Sequence, residues 1–98
     1  MSKFGELIDV RIPVLLSFYA GWDEKTNAMH SVLIDVAASL GGKVKVVKID
    51  VDKNQKLAEA LRVQELPTLM IYWNGEMKWR ESGEQSAKIL IDLIQEYL

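Results

Sequence analysis

No cysteine occurs in the 98 residues. Disulfides, thiolate nucleophiles and cysteine-ligated metals are therefore excluded from this chain, whatever its fold. Histidine is nearly as scarce. His30 alone cannot build a multi-histidine site, and a single histidine in a helical segment reads as structural or exposed, so no metal is expected. Charge of one sign is also lacking: the formal net charge is −2, with no basic run and no basic stripe interleaved with aromatics, which argues against a nucleic-acid partner. The longest apolar stretches, residues 14–16 and 69–73, are far too short to span a bilayer. The opening MSKFGEL has one lysine and no apolar h-region, which predicts no secretory signal and a cytoplasmic location.

What is present describes an ordinary globular chain, 49% hydrophobic and 27% charged, of a length that supports one core. A single domain over residues 1–98 is expected, since no repeat, linker or low-complexity segment interrupts it. Phe4, Leu7 and Ile8 have helical spacing, and Pro13 ends that segment by pushing its predecessor toward extended backbone. Residues 14–20, VLLSFYA, form a nearly continuous apolar run of strand length, the pattern of a central strand covered on both faces. Ala28, Met29, Val32, Leu33, Val36, Ala37 and Leu40 then recur at helical intervals up to Gly41-Gly42, which should stop the helix.

The β-branched KVKVVKI of residues 43–49 predicts a second strand, and the strand–helix–strand unit should be parallel and right-handed. Asn54 is placed to cap a short helix carrying Leu57, Ala58 and Leu61. Pro67 precedes a third strand at residues 68–73, and Asn74-Gly75 signals a two-residue hairpin into a fourth at 76–81. Ser86 should cap a last helix with Ile89, Leu90, Leu93, Ile94 and Tyr97 buried. The long helix is expected on one face of the sheet and the last helix on the other.

The stretch FYAGWDEKTNAMH, residues 18–30, joins the first strand to the long helix, where free backbone N–H groups and the positive end of the helix dipole meet. Enzymes often place their chemistry at such a junction. Here Trp22 is followed by Asp23, Glu24, Lys25 and Thr26, none of them an obvious nucleophile. Acidic residues in a first turn stabilise a helix by about 0.3–1 kcal/mol each, which accounts for Asp23 and Glu24 without any functional role.

Taken in order, PVLLSFYAGW, KVKVVKIDVDKN, LPTLMIYWNGE, SGEQS and the C-terminal helix resemble the thioredoxin family over residues 13–98. The resemblance implies an α/β thioredoxin-like fold: a four-stranded mixed sheet flanked by helices, ordered second, first, third, fourth, with the third and fourth strands antiparallel to the first two. It implies a cis bond before Pro67. The segment before Pro13 is too short for the family's usual first strand plus helix, so that strand is expected to be missing.

The departures bear on function. The family follows its Trp with C-G-P-C, whose first thiolate is activated at the helix N-terminus. Asp23 and Thr26 stand at the two cysteine positions, and Ser17 stands where the family has the buried acid that relays protons to the second cysteine; Lys48 thereby loses its usual neighbour. No catalytic residue and no cofactor are expected. In the family the counterpart of Trp22 walls a shallow groove, with the proline loop opposite and the counterpart of Gly83 beside it. That loop leaves the backbone of the residue before the proline, here Leu66, free to pair with an extended segment by strand addition. The expected function is a redox-inactive module, monomeric and without membrane or nucleic-acid partners. It would bind an extended peptide or partner protein at Trp22, Asp23, Leu66, Pro67 and Gly83. Two other classes compete: a disulfide oxidoreductase by ancestry, and a scaffold docking through another face.

Overall fold

In the computed structural model, which describes residues 3–98 other than the side chains of Lys25 and Thr26, the strands are β1 (Val14–Tyr19), β2 (Lys45–Asp50), β3 (Thr68–Trp73) and β4 (Glu76–Ser82). The helices are α1 (Lys3–Ile8), α2 (Glu24–Leu40), α3 (Gln55–Ala60) and α4 (Ala87–Gln95). One sheet holds all four strands in the order β2-β1-β3-β4. Among the described residues no strand precedes α1, and no helix is long and apolar enough to cross a membrane.

β1 pairs in parallel with β2, from Val14↔Lys45 to Tyr19↔Asp50, as the intervening helix requires. β3 runs antiparallel to β1, and β4 antiparallel to β3. This corrects the expected strand directions: only β3 opposes the first pair, because the hairpin reverses the chain again and returns β4 to the direction of β1 and β2. Asn74 (φ 54°) and Gly75 (φ 78°) both adopt positive φ, the conformation that a tight hairpin turn needs at its two central residues. Gly41 (φ 56°) ends α2 in the same left-handed region, and a single turn of 3-10 helix, Gly41–Lys43, delays the start of β2 to Lys45.

Both faces of the central strands are buried, and the alternation along them divides the core. Leu15, Leu69 and Ile71 meet Met29, Leu33 and Val36 of α2 together with Leu90 and Ile94 of α4. On the opposite face Val14, Leu16, Phe18, Met70 and Tyr72 meet Phe4 and Ile8 of α1 and Leu57 and Leu61 near α3. The last helix therefore lies beside α2, not across the sheet from it as expected. Phe4, Ile8, Leu57 and Leu61 already cover the second face, which leaves the strip beside α2 as the apolar surface that α4 can fill.

Within α4 Ser86 caps as expected, its Oγ accepting from the Ile89 N–H at 3.2 Å. Ile89 itself is 48% exposed; the buried stripe is Leu90 and Ile94. Asn54 precedes α3 without capping it, its Nδ2 donating instead to the Asp50 carbonyl at 2.9 Å. That bond braces the exit of β2, where the candidate site begins.

Candidate functional site

Three chain segments converge at the C-terminal end of β1. The parallel register sets the exits of β1 and β2 side by side, Tyr19 against Asp50. The antiparallel register places Thr68, just after Pro67, against Phe18. Thr68 also pairs with Ser82, and Gly83 N–H donates to the Pro67 carbonyl at 2.8 Å, which fixes Gly83 beside the proline loop. Trp22, Leu66, Pro67 and Gly83 thus share one end of the sheet, and the Leu66–Pro67 bond is cis.

Trp22 is 73% exposed. Its indole Nε1 donates to Asp52 Oδ2 at 3.0 Å, and Asp52 N–H in turn donates to Asp50 Oδ1 at 2.9 Å. The ring is therefore oriented by a carboxylate while its face stays in water. Sequence reasoning did not single out Asp52. The available signal was the βαβ register, which sets the residues leaving β2 beside the turn that leaves β1, where an indole N–H needs an acceptor.

The proline loop is held from both sides. Thr68 Oγ1 donates to the Glu65 carbonyl and lies 3.2 Å from Ser82 Oγ, and the Arg80 guanidinium donates to the carbonyls of Leu61 and Arg62. Pro67 is buried and Leu66 half-buried. The Leu66 backbone N–H and C=O make no hydrogen bond among the described residues.

At the helix start, Asp23 N–H donates to the Ala20 carbonyl at 3.0 Å and the Asp23 carbonyl accepts from Asn27 N–H at 3.2 Å, the backbone pattern of an N-cap. Asn27 Nδ2 also donates to the Gly21 carbonyl at 3.3 Å, tying the turn to the helix. Asp23 is half-buried and Glu24 exposed. Thr26, at the second position of interest, has its side chain outside the described residues.

Ser17 lies in the middle of β1, completely buried and opposite Lys48, and its Oγ has no hydrogen-bond partner among the described residues. A buried hydroxyl without a partner costs about 1–3 kcal/mol. Ser17→Ala is therefore expected to raise the unfolding free energy by about 1 kcal/mol, read from urea denaturation midpoints at unchanged slope; a loss of stability would show that the hydroxyl is satisfied.

Nearly two turns into α2, His30 packs edge-on against Tyr19, ring centroids 5.0 Å apart at 82°. Its Nε2 is shielded from solvent and unpartnered among the described residues. Burial, and secondarily the Lys48 charge, hold its pKa below the ordinary 6.5. A histidine depressed in the folded state binds its proton first in the unfolded chain, so stability rises with pH wherever the two states differ in bound protons. Stability is thus complete above the unfolded value of about 6.5 and is lost as pH falls through it toward the folded value. His30→Gln is expected to flatten the decline in unfolding free energy between about pH 7 and 5.5, measured against wild type. An identical slope in the two proteins would exclude this contribution.

Comparison with known proteins places these features in context. The Thioredoxin family profile matches residues 1–96. The chain is 32% identical over 89 residues to a thioredoxin of Rickettsia felis, covering 91% of this chain and 85% of that protein. It is 37% identical over 86 residues to a thioredoxin-like protein of Synechocystis, covering 88% and 82%. It is 38% identical over 98 residues to the chloroplastic thioredoxin Y of rice, covering 99% of this chain and 58% of that one. Among solved structures, a mutant thioredoxin from Halobacterium salinarum superposes with a TM-score of 0.88 at 33% identity, covering 99% of this chain and 84% of that chain.

Proposed function

The chain belongs to the thioredoxin family and holds no cysteine, and from that premise we propose that it is a binding module that captures an extended peptide or a partner protein segment at the Trp22 groove. Thiol–disulfide exchange needs an attacking thiolate and passes through a mixed disulfide. With Asp23 and Thr26 at the two cysteine positions, this chain supplies neither sulfur, so it is not a disulfide reductase.

The observation that carries the binding reading is the exposure of Trp22, 73%, in a ring oriented by Asp52. A large indole held in water by a hydrogen bond is an anchor of the kind that dominates interface energies. Leu66 adds a main-chain donor and acceptor for strand addition at the same end of the sheet, with Pro67 and Gly83 shaping the floor. Asp23, Glu24 and Asp52 place negative charge on the rim, so a ligand with basic residues is favoured. The protein acts here as a monomer and without a cofactor.

The test is selection of peptides from a random library on the immobilised chain, followed by amide NMR mapping of the strongest binder. Shifts concentrated at the Trp22 indole, Leu66 and Gly83, with basic residues enriched in the selected peptides, are the expected result. A footprint along β2 or on α4 instead would sink the groove reading and favour docking through another face.

A further inference from the structure

The edge of β2 that faces away from β1 is open, and we infer that it accepts an added strand from a partner protein, an extended segment with an acidic residue two positions before an apolar one. β2 has β1 as its one neighbour among the described residues. Lys45 N–H donates to the Pro13 carbonyl at 3.0 Å and Val51 N–H to the Tyr19 carbonyl at 2.9 Å, so the odd-numbered residues turn their main-chain groups to β1. The even-numbered ones point the other way. Asp50 has its carbonyl taken by Asn54 Nδ2. Val46 and Lys48 keep both N–H and C=O free of any hydrogen bond among the described residues. Each can exchange two hydrogen bonds with a residue laid directly opposite.

The even-numbered side chains of β2 lie on the α2 side of the sheet, where Val46 packs into that half of the core. His30 meets Tyr19 and feels the Lys48 charge, which puts its flank of α2 beside β2. Ile34 and Ala37 follow His30 at the four- and three-residue steps that share a helix flank, and both are exposed, Ile34 at 67%. A helical turn of about 5.4 Å nearly matches the two-residue step of a strand, about 6.6 Å, so Ile34 stands about level with Val46. An apolar side chain opposite Val46 would cover both. On the other face the end of α1 is tied to the strand, Lys45 Nζ donating to the Leu7 carbonyl at 3.1 Å.

Lys48 sets the charge of the occupant. Its side chain is exposed and in no ion pair among the described residues, and Lys43, just ahead of the strand, is the same. Asp50, the one carboxylate on β2, lies at the strand exit and accepts from Asp52 N–H. An acidic side chain opposite Lys48 therefore gains a cross-strand charge pair. A second copy of β2 would instead set two Lys48 ammonium groups on one face with no carboxylate between them, which disfavours self-pairing. In the antiparallel direction, the more stable per residue, the acid comes two positions before the apolar residue. The other edge of the sheet offers no equivalent: the register of β4 slips after Ile71, and its Lys78 already pairs with Glu76 at 2.9 Å.

The experiment is an NMR titration of the whole chain with the end-blocked peptide Thr-Thr-Glu-Thr-Val-Thr-Thr. Saturable shifts at Val46 and Lys48 are expected, with slowed hydrogen exchange at both amides. Methylating the main-chain nitrogen of the peptide's glutamate or valine should abolish binding, whereas methylating the threonine between them, whose N–H points away from β2, should not. Lysine in place of the glutamate is expected to weaken binding about fivefold, the upper size of an exposed charge pair, and Lys48→Glu should reverse the preference between the two peptides. The inference is overturned by the absence of saturable shifts, by shifts away from β2, by methylation that acts equally at all three nitrogens, by equal binding of the two peptides, or by sedimentation showing that the chain pairs with itself through β2. The groove is judged separately, by basic peptides at Trp22: its failure leaves this edge standing, and failure here leaves the groove.

Discussion

Insulin incubated with dithiothreitol and this protein is expected to precipitate no faster than insulin with dithiothreitol alone. The two sulfurs needed for exchange are missing, and the loss is not a matter of degree, since no other side chain in the chain forms a mixed disulfide. The informative variant is Asp23→Cys with Thr26→Cys. The new thiol at residue 23 would sit at the N-cap of α2, where the helix dipole favours the thiolate. Nucleophile and resolving thiol would then be present, and a measurable rate should appear. It should remain far below that of a thioredoxin, because the buried Ser17 offers no acid to move the proton on the second sulfur. A positioned general acid or base is worth about 100-fold to 10,000-fold. Adding Ser17→Asp to the pair is therefore expected to raise turnover by a large part of that factor, at a cost in stability from burying a carboxyl group. If the double-cysteine variant alone reaches full thioredoxin rates, Ser17 is no obstacle, and the inactivity of this chain resides in residues 23 and 26 only.

Much of this architecture was legible in the residues, and the parts that were not share a cause. Local pattern sufficed where one element's own sequence decides its state. The apolar run of residues 14–19 gave a central strand, Asn74-Gly75 gave the hairpin, and Ser86 gave a true cap. It failed where the outcome depends on which surface other elements have already taken. The apolar residues of α4 indicate burial without indicating a face, and only the occupation of the second face by Phe4, Ile8, Leu57 and Leu61 sends α4 to the side of α2. Asn54 has the chemistry of a cap, but the Asp50 carbonyl competes successfully for its amide. Ile89 shows the same limit: it reads as core by residue type, yet it is 48% exposed because its neighbour Leu90 satisfies the contact.

The candidate site divides in the same way. Residues that act through backbone shape, Pro67 and Gly83, announce themselves by type. Asp52 orients Trp22 from thirty positions away in sequence, and needed the register of β1 with β2 to be found.

Trp22→Ala is expected to cost the groove most of its affinity while leaving the fold intact. Hot-spot tryptophans lose about 2 kcal/mol or more on truncation to alanine, which is about 30-fold in dissociation constant. Surface substitutions of this kind usually change stability by no more than about 0.5 kcal/mol, and at 73% exposure this ring has little packing to lose. The affinity loss should appear as a faster off-rate for a peptide selected on the wild-type chain, measured by surface plasmon resonance. Asp52→Ala should fall between the two. It leaves the indole in place but frees it to rotate, so the penalty is the ordering of one side chain, about 0.5–1.5 kcal/mol. Asp23→Asn acts differently again, because a rim charge steers encounter more than it holds the complex; it should lower the on-rate and flatten its dependence on salt, with the off-rate little changed. Three variants thus separate anchor, orientation and steering by which rate each moves. Binding indifferent to Trp22→Ala, or a Trp22→Ala chain that unfolds more readily by several kcal/mol, would show that the indole packs for the fold and that partners dock elsewhere.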